Sequence, residues 1–163
     1  MKTLLIVYHT QTGGTLQMAQ AAAAGARTEA GVRVSLLHAA AAHTADVLDA
    51  DGYIFATPEN LAAISGQMKD FFDRTYYGAL ERIEGRPYAA LVCAGSDGRN
   101  AVQQMERIAT GWRLKQIAEA LIVCTHAQTP EQILAPKQIP QGQLKRCEEL
   151  GATLGSGIAA GIF

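Results

Sequence analysis

Short apolar runs alternate with longer segments of helical periodicity along the chain, a pattern typical of strand–helix–strand units around a parallel sheet. Residues 4–8 form a continuous apolar run, as expected for a central strand that helices cover on both faces. The clearest helix follows the third strand, and its apolar positions form one stripe at a period of about 3.6 residues: Ile64, Met68, Phe71, Phe72 and Tyr76. The pattern therefore predicts an α/β fold.

The remaining elements continue this alternation. Further strands are expected over residues 32–37, 52–56, 88–93 and 118–124, and helices over residues 16–27, 45–48, 101–112 and from about residue 143. Asp97 or Asn100 is expected to cap the helix that ends near Trp112. The glycines of the last helix fit either close packing or a frayed end.

Five strands joined by right-handed crossovers leave few topologies. The leading one is a three-layer sandwich with helices on both faces of a five-stranded parallel sheet in the order 2-1-3-4-5. Residues 1–163 are expected to form a single domain, with a polar, proline-bearing loop over residues 129–140 before the last helix.

Composition excludes several classes of function. Lys and Arg number 14 against 15 Asp and Glu, and no basic run stands out, which argues against nucleic-acid binding and a polybasic membrane surface. The apolar runs are too short for a membrane span or a signal peptide, so a cytoplasmic location is expected. Cys93, Cys124 and Cys147 are too scattered for a disulfide framework, and no histidine has the partners of a metal site.

In an open α/β sheet of this order, ligands bind where the strand order reverses, beyond the carboxyl ends of the strands. A ligand is therefore expected at the loops that follow Tyr8, Ala56 and Cys93. The first, residues 9–15, carries three threonines and two glycines and runs directly into a helix. Hydroxyls, close backbone N–H groups and the helix dipole together suit a phosphate monoester, without Lys or Arg. The alternative is an ordinary capped turn.

These loops resemble those of a known superfamily. Residues 10–15 (T-x-T-G-x-T) resemble the phosphate loop of flavodoxins. Residues 57–60 (T-P-E-N) are similar to the T-P-E-Y-N loop of NAD(P)H-dependent FMN reductases, without its tyrosine. Residues 65–74 resemble the S-x-Q-M-K-x-F-x-D stretch of multimeric flavodoxin-like quinone reductases, and residues 94–98 resemble the third flavin loop of the superfamily.

The resemblance implies a flavodoxin-like fold with non-covalently bound FMN. Residues 10–15 would hold its phosphate, residues 57–61 would line the ribityl chain and the flavin edge, and residues 95–98 would approach the pyrimidine side. The implied cofactor-binding residues are Thr10, Gln11, Thr12, Gly13, Gly14, Thr15, Thr57, Pro58, Glu59, Asn60, Leu61, Ala94, Gly95, Ser96, Asp97 and Gly98. The second and third loops contain no aromatic residue, which leaves a flavin face open to hydride transfer and removes stacking contacts.

The function that the resemblance implies is an FMN oxidoreductase, in which NAD(P)H reduces the flavin and a quinone or similar acceptor oxidises it. No side chain is assigned a catalytic role, because the flavin carries the chemistry. The alternatives are a flavodoxin-type one-electron carrier with a redox partner protein, and a flavin-free interaction module. The resemblance also implies a homodimer or tetramer. His9 is expected to face a neighbouring helix, the alternative being a hydrogen bond to the phosphate or a substrate. Arg99 is a candidate contact for a nucleotide phosphate or simply solvent-facing.

Overall fold

A parallel sheet with helices on both faces forms the centre of the structure, a computed structural model that describes residues 1–163. In chain order the strands are β1 (Lys2–Tyr8), β2 (Val32–His38), β3 (Gly52–Asn60), β4 (Ala63–Ile64), β5 (Pro87–Ala94), β6 (Lys115–Gln116) and β7 (Leu121–Cys124). The helices are α1 (Gly14–Ala26), α2 (Thr44–Asp49), α3 (Gly66–Ala79), α4 (Arg99–Gly111), α5 (Pro130–Leu134) and α6 (Gln141–Ala160). No helix is long and apolar enough to cross a membrane.

The sheet confirms the predicted fold class and strand order, with seven strands in place of five. Its main path runs β2-β1-β3-β5, and both β6 and β7 pair in parallel with β5 at the far edge. The predicted fifth strand, residues 118–124, is present as β7 at residues 121–124, and β6 is an additional short strand that precedes it. The other additional strand, β4, pairs antiparallel with the end of β3. Because β1 lies between β2 and β3, the strand order reverses beside β1, as predicted.

Two apolar clusters, one on each face of the sheet, make up the core. One lies between the sheet and helices α2, α3 and α4, and it contains Phe55, Phe71 and Trp112. The other lies between the sheet and helices α1 and α6, and it contains Met18 and Leu154. Successive residues of β1 alternate between these clusters, which explains why a fully buried strand has a continuous apolar sequence.

Several element boundaries differ from those predicted. Helix α3 begins at Gly66 because the hydroxyl of Ser65 accepts the N–H of Met68, so Ile64 belongs to β4 and not to the helix. The segment predicted as a loop contains α5, in which Thr129 and Gln132 form a reciprocal capping box. The N-cap residue of α4 is Gly98, with a φ of 89°, and not Asp97 or Asn100 as predicted. The carboxylate of Asp97 accepts only the first N–H of the helix, that of Arg99, at 3.3 Å.

Candidate functional site

A cavity of about 660 Å³ opens at the carboxyl ends of β1, β3 and β5, where the sequence placed a ligand site. Residues of all three predicted loops line it: Thr10, Gln11, Thr12, Gly14, Thr15, Pro58, Glu59, Asn60, Leu61, Ala94, Gly95 and Ser96. The amide of Asn60 donates to Oε1 of Gln11 at 2.8 Å, which joins the first loop to the second. The structure thus brings three distant segments of the chain together around one space.

The other residues predicted to bind the cofactor do not line the cavity: Gly13, Thr57, Asp97 and Gly98. Gly13 and Gly98 adopt left-handed backbone conformations immediately before α1 and α4, so their role is to turn the chain into those helices. Thr57 is buried, and its hydroxyl accepts the N–H of Ser65 at 3.1 Å. Asp97 is exposed and pairs with the exposed Arg99.

The first loop presents unused hydrogen-bond donors at the N-terminus of α1. The backbone N–H groups of Gly14, Thr15 and Leu16 donate to no protein acceptor, and no side chain caps the helix. The hydroxyl of Thr15 is buried, at 1% exposure of the residue, and has no hydrogen-bond partner. Free amides on a positive helix end and a buried, unpartnered hydroxyl fit an anionic phosphate.

The second loop is a tight hairpin at the cavity edge. Strand β3 continues to Asn60, and the chain reverses through Leu61 and Ala62, which have φ values of 50° and 61°. Left-handed conformations cost non-glycine residues roughly 1–2 kcal/mol each, so the surrounding contacts must hold this turn. Two side chains of α4 do so: Asn100 donates to the carbonyl oxygen of Ala62, and Gln104 accepts the N–H of Ile64.

Glu59 connects the second loop to the third. Its carboxylate accepts the N–H of Gly98 at 2.8 Å through Oε1 and the N–H of Ala101 at 3.1 Å through Oε2. These are donors at the N-terminus of α4, so Glu59 supplies the cap that the sequence assigned to Asp97 or Asn100. The residue therefore orients two of the cavity's loops with its side chain.

This geometry predicts a moderate loss of stability when Glu59 is replaced by glutamine. E59Q turns one oxygen facing an N–H into an amide donor, and we expect a decrease in the free energy of unfolding of about 1–2 kcal/mol. Urea denaturation of the flavin-free protein measures it. E149Q, which changes an exposed α6 glutamate without a side-chain hydrogen bond, is the control and should have no effect. An E59Q protein as stable as E149Q would show that Glu59 does not cap α4.

A fourth segment, which was not predicted as part of the site, also lines the cavity. Thr125, Ala127 and Gln128 follow β7, and Ile133 and Lys137 lie in or just after α5. The backbone N–H of Lys137 donates to the carbonyl oxygen of Thr12 at 2.9 Å. The chain therefore crosses back over the first loop on its way to α6. The only sequence signal here was the capping pattern at Thr129, which predicts a helix start but not its position.

Cys93 borders the same cavity and is almost fully buried. Burial raises the pKa of its thiol to about 11, although the charge of Lys137 acts in the opposite direction. The thiol therefore stays protonated near neutral pH, a state that does not favour a nucleophilic role.

His9 faces away from the cavity, as predicted. Its Nδ1 lies 2.8 Å from the hydroxyl of Ser65 at the start of α3. Burial lowers the pKa of His9 below its usual value, and the neighbouring His38 lowers it further. The imidazole is therefore neutral at pH 7 and helps to position the segment that follows β4.

The lowered pKa of His9 predicts a pH-dependent stability. The unfolded chain takes up the proton near pH 6.5 while the folded protein resists it, so the free energy of unfolding should fall as the pH drops from 6.5 through the folded pKa. H9Q should remove this part of the pH dependence, whereas H43Q, at the exposed start of α2, should retain it. Denaturation curves between pH 5 and pH 8 provide the measurement, and identical slopes for H9Q and the unmodified protein would contradict the assignment.

Comparison with known proteins shows to which family the chain belongs. Residues 38–128, more than half of the chain, match the model of the NADPH-dependent FMN reductase family. The chain belongs to this family. Membership confirms the expected superfamily, with FMN and NADPH as the molecules that the family's description names. The matched region includes the second and third loops and the start of the fourth segment.

Individual relatives point to the same group of flavoproteins. A flavodoxin of Aquifex aeolicus is 38% identical over 98 residues, which cover 60% of this chain and 53% of that protein. An NAD(P)H dehydrogenase (quinone) of Acidithiobacillus ferrooxidans is 36% identical over 95 residues, which cover 46% of this chain and 48% of that protein. The chain spans about half the length of the curated relatives it matches.

Solved structures establish the fold. A flavodoxin from the domain Archaea superimposes with a TM-score of 0.77 at 16% identity, covering 96% of this chain and 98% of the other. A WrbA-like flavodoxin of Agrobacterium tumefaciens gives a TM-score of 0.68 at 20% identity, covering 97% and 98%. At such low identity these similarities show the flavodoxin-like fold and nothing about the ligand.

Proposed function

We propose that this member of the NADPH-dependent FMN reductase family binds FMN in the cavity and passes reducing equivalents from NAD(P)H to a quinone-like acceptor. The observation that carries the proposal is the set of unused donors at the N-terminus of α1, above all the buried hydroxyl of Thr15. A buried donor without a protein partner costs stability, and a ligand phosphate is the group that would satisfy it.

The proposed binding site extends along the three loops. Among the residues that line the cavity, residues 10–12, 14 and 15 would hold the phosphate, residues 58–61 the ribityl chain and the flavin edge, and Gly95 and Ser96 the pyrimidine side. Glu59 keeps the second and third loops in fixed relation through its bonds to Gly98 and Ala101. Bound FMN would supply the hydride and electron chemistry. The protein contributes orientation and backbone donors.

The charged residues of the cavity support the proposal that bound FMN, and not a side chain, would carry the chemistry. Glu59 and Lys137 are the only ionisable acid and base among the lining residues besides Cys93, whose thiol is protonated. The Glu59 carboxylate accepts backbone N–H groups, and the Lys137 ammonium donates to backbone carbonyls. Both groups are therefore engaged with the backbone. With no aromatic side chain in the second or third loop, a planar nicotinamide or quinone has access to the ligand in this proposal.

The relatives named NAD(P)H dehydrogenase (quinone) support the donor and the acceptor. The relative named flavodoxin favours a second candidate function, transfer of single electrons to a partner protein. A homodimer or tetramer is part of the reductase proposal, and light scattering after gel filtration measures it.

An anaerobic titration of the FMN-supplemented protein with NADPH tests the proposal. Complete bleaching of the visible flavin band by one equivalent, with no long-wavelength band at the midpoint, is the expected result. A bound flavin that NADPH cannot bleach would favour the electron carrier. If the protein binds no flavin at all, the reductase and carrier functions both fail and an interaction module remains.

A further inference from the structure

A fixed positive charge borders the phosphate end of the cavity. Lys137 lines the cavity, and its main-chain N–H donates to Thr12 within the predicted phosphate loop. A Cβ atom added to Gly14 would lie 3.4 Å from Cβ of Lys137, so this side chain leaves the backbone directly against the start of α1. Residues 10–15 contain no Lys or Arg, and the fold adds a lysine from a distant part of the sequence.

The position of Lys137 is set by the segment that carries it, residues 129–139, here called the crossing segment. The side chain of Gln17, in the first turn of α1, donates to the carbonyl oxygen of Lys137 at 2.7 Å and accepts the N–H of Ile139 at 3.0 Å. Together with the bond to Thr12, these contacts tie the crossing segment to the phosphate loop on both sides of Lys137.

The ammonium group of Lys137 is held in place but is not neutralised. Its Nζ donates to the carbonyl oxygens of Gln132, Ile133 and Ala135, at 2.8, 2.9 and 2.6 Å. No carboxylate forms a salt bridge with it. Because its three hydrogens are engaged with carbonyl oxygens, the group would act on a ligand through its charge and not through a hydrogen bond.

The other charged residue of the cavity does not cancel this field. Glu59 lies in the second loop, where its carboxylate accepts two N–H groups at the positive end of α4. The phosphate loop itself offers the free N–H groups of α1 and the unpartnered hydroxyl of Thr15. Free donors and a lysine without a carboxylate partner therefore border the same end of the cavity, an arrangement that favours an anionic group.

We propose that Lys137 makes the cavity selective for a phosphorylated flavin over its dephosphorylated form, through the charge that the crossing segment places beside the phosphate loop. This inference rests on the proposed function, because it assumes that the cavity takes a flavin. It adds a residue from the fourth segment to the recognition of the phosphate, and it predicts how that recognition depends on salt.

The test compares binding of FMN and riboflavin, by quenching of flavin fluorescence, for the unmodified protein and for K137Q, K137R and K145Q. Glutamine at position 137 retains hydrogen-bond donors for the α5 carbonyls but removes the charge. We expect K137Q to weaken FMN binding about tenfold at low salt and to leave riboflavin binding unchanged. K137R should restore FMN binding, and K145Q, an exposed α6 site with the same change in net charge, should have no effect.

A second measurement uses inorganic phosphate as the probe. Phosphate should raise the melting temperature of the flavin-free protein above that in chloride of equal ionic strength, and K137Q should need a higher phosphate concentration for the same shift.

Equal weakening of FMN and riboflavin in K137Q would overturn the inference, since Lys137 would then only hold the crossing segment. Unchanged FMN binding would overturn it as well. A protein that binds phosphate but no flavin would defeat the proposed function, and the phosphate shift of K137Q would then decide the role of Lys137. If the protein binds neither phosphate nor flavin, the proposed function and the proposed role of Lys137 both fail.

Discussion

Replacing Gly151 with alanine is expected to lower the free energy of unfolding by about 3 kcal/mol or more. A Cβ atom at this position would lie 1.9 Å from the carbonyl oxygen of Ala22 and 2.6 Å from its carbonyl carbon. Both atoms belong to the backbone of α1, so a side-chain rotation cannot remove the clash. Helices α1 and α6 would have to separate, and apolar contacts such as those of Met18 and Leu154 in their shared cluster would loosen.

Urea denaturation followed by circular dichroism measures this effect, and α6 provides its own control. Gly142 lies in the same helix with no atom within 4 Å of the position where a Cβ would be built. G142A should therefore be neutral or stabilise the protein by up to about 1 kcal/mol, through helix propensity alone. If G151A costs no more than G142A, the close approach of the two helices is wrong.

The glycines of α6 show what a sequence pattern could and could not decide. Before the structure, close packing and a frayed end were equally compatible with them. Gly151 and Gly155 lie against the backbone of α1 at Ala22 and Ala26, which confirms close packing. Gly161 instead ends the helix in a left-handed conformation with a φ of 66°. Residue type alone does not separate these roles, because each depends on what lies opposite.

The fold was predictable because its signals are local and periodic. A continuous apolar run marks a strand buried on both faces, and the stripe through Phe71 and Phe72 marks the face of α3 that packs on the sheet. Strand β3 was predicted to end at Ala56 but continues to Asn60, since its last residues pair with β4 across a hairpin. Such pairing depends on a turn at Leu61 and Ala62 that carries no glycine, asparagine or aspartate signal.

The site was predictable in part for a topological reason. Strand order determines which loops meet, so the three loops at the ends of β1, β3 and β5 could be located from sequence. Lys137 could not, because its contact with Thr12 joins residues far apart in the chain and depends on the path between α5 and α6. The sequence likewise did not show the direction in which a side chain points. Glu59 was predicted to bind the flavin as part of the second loop, but its carboxylate accepts backbone N–H groups at the start of α4.

The second large effect concerns the buried hydroxyl of Thr15. Valine has nearly the same shape without the hydroxyl, so T15V removes one donor to a ligand phosphate and leaves the packing intact. We expect FMN binding to weaken by about 10- to 100-fold, the usual worth of a charge-assisted hydrogen bond of about 1.5–3 kcal/mol. Riboflavin, which lacks the phosphate, should bind as before. Fluorescence titrations with both flavins provide the measurement.

The same substitution should act in the opposite direction on the flavin-free protein. The Thr15 hydroxyl is buried without a partner, so its removal relieves a desolvation cost and should raise the free energy of unfolding by about 1 kcal/mol. T15S is the matched control: it keeps the donor and should retain FMN binding, while the lost methyl group lowers stability by about 1 kcal/mol. A T15V protein that binds FMN as tightly as T15S would mean that the phosphate does not meet this hydroxyl. If T15V binds FMN more weakly but has a higher free energy of unfolding, the hydroxyl serves the ligand. A purely structural role would lower both the FMN affinity and the free energy of unfolding.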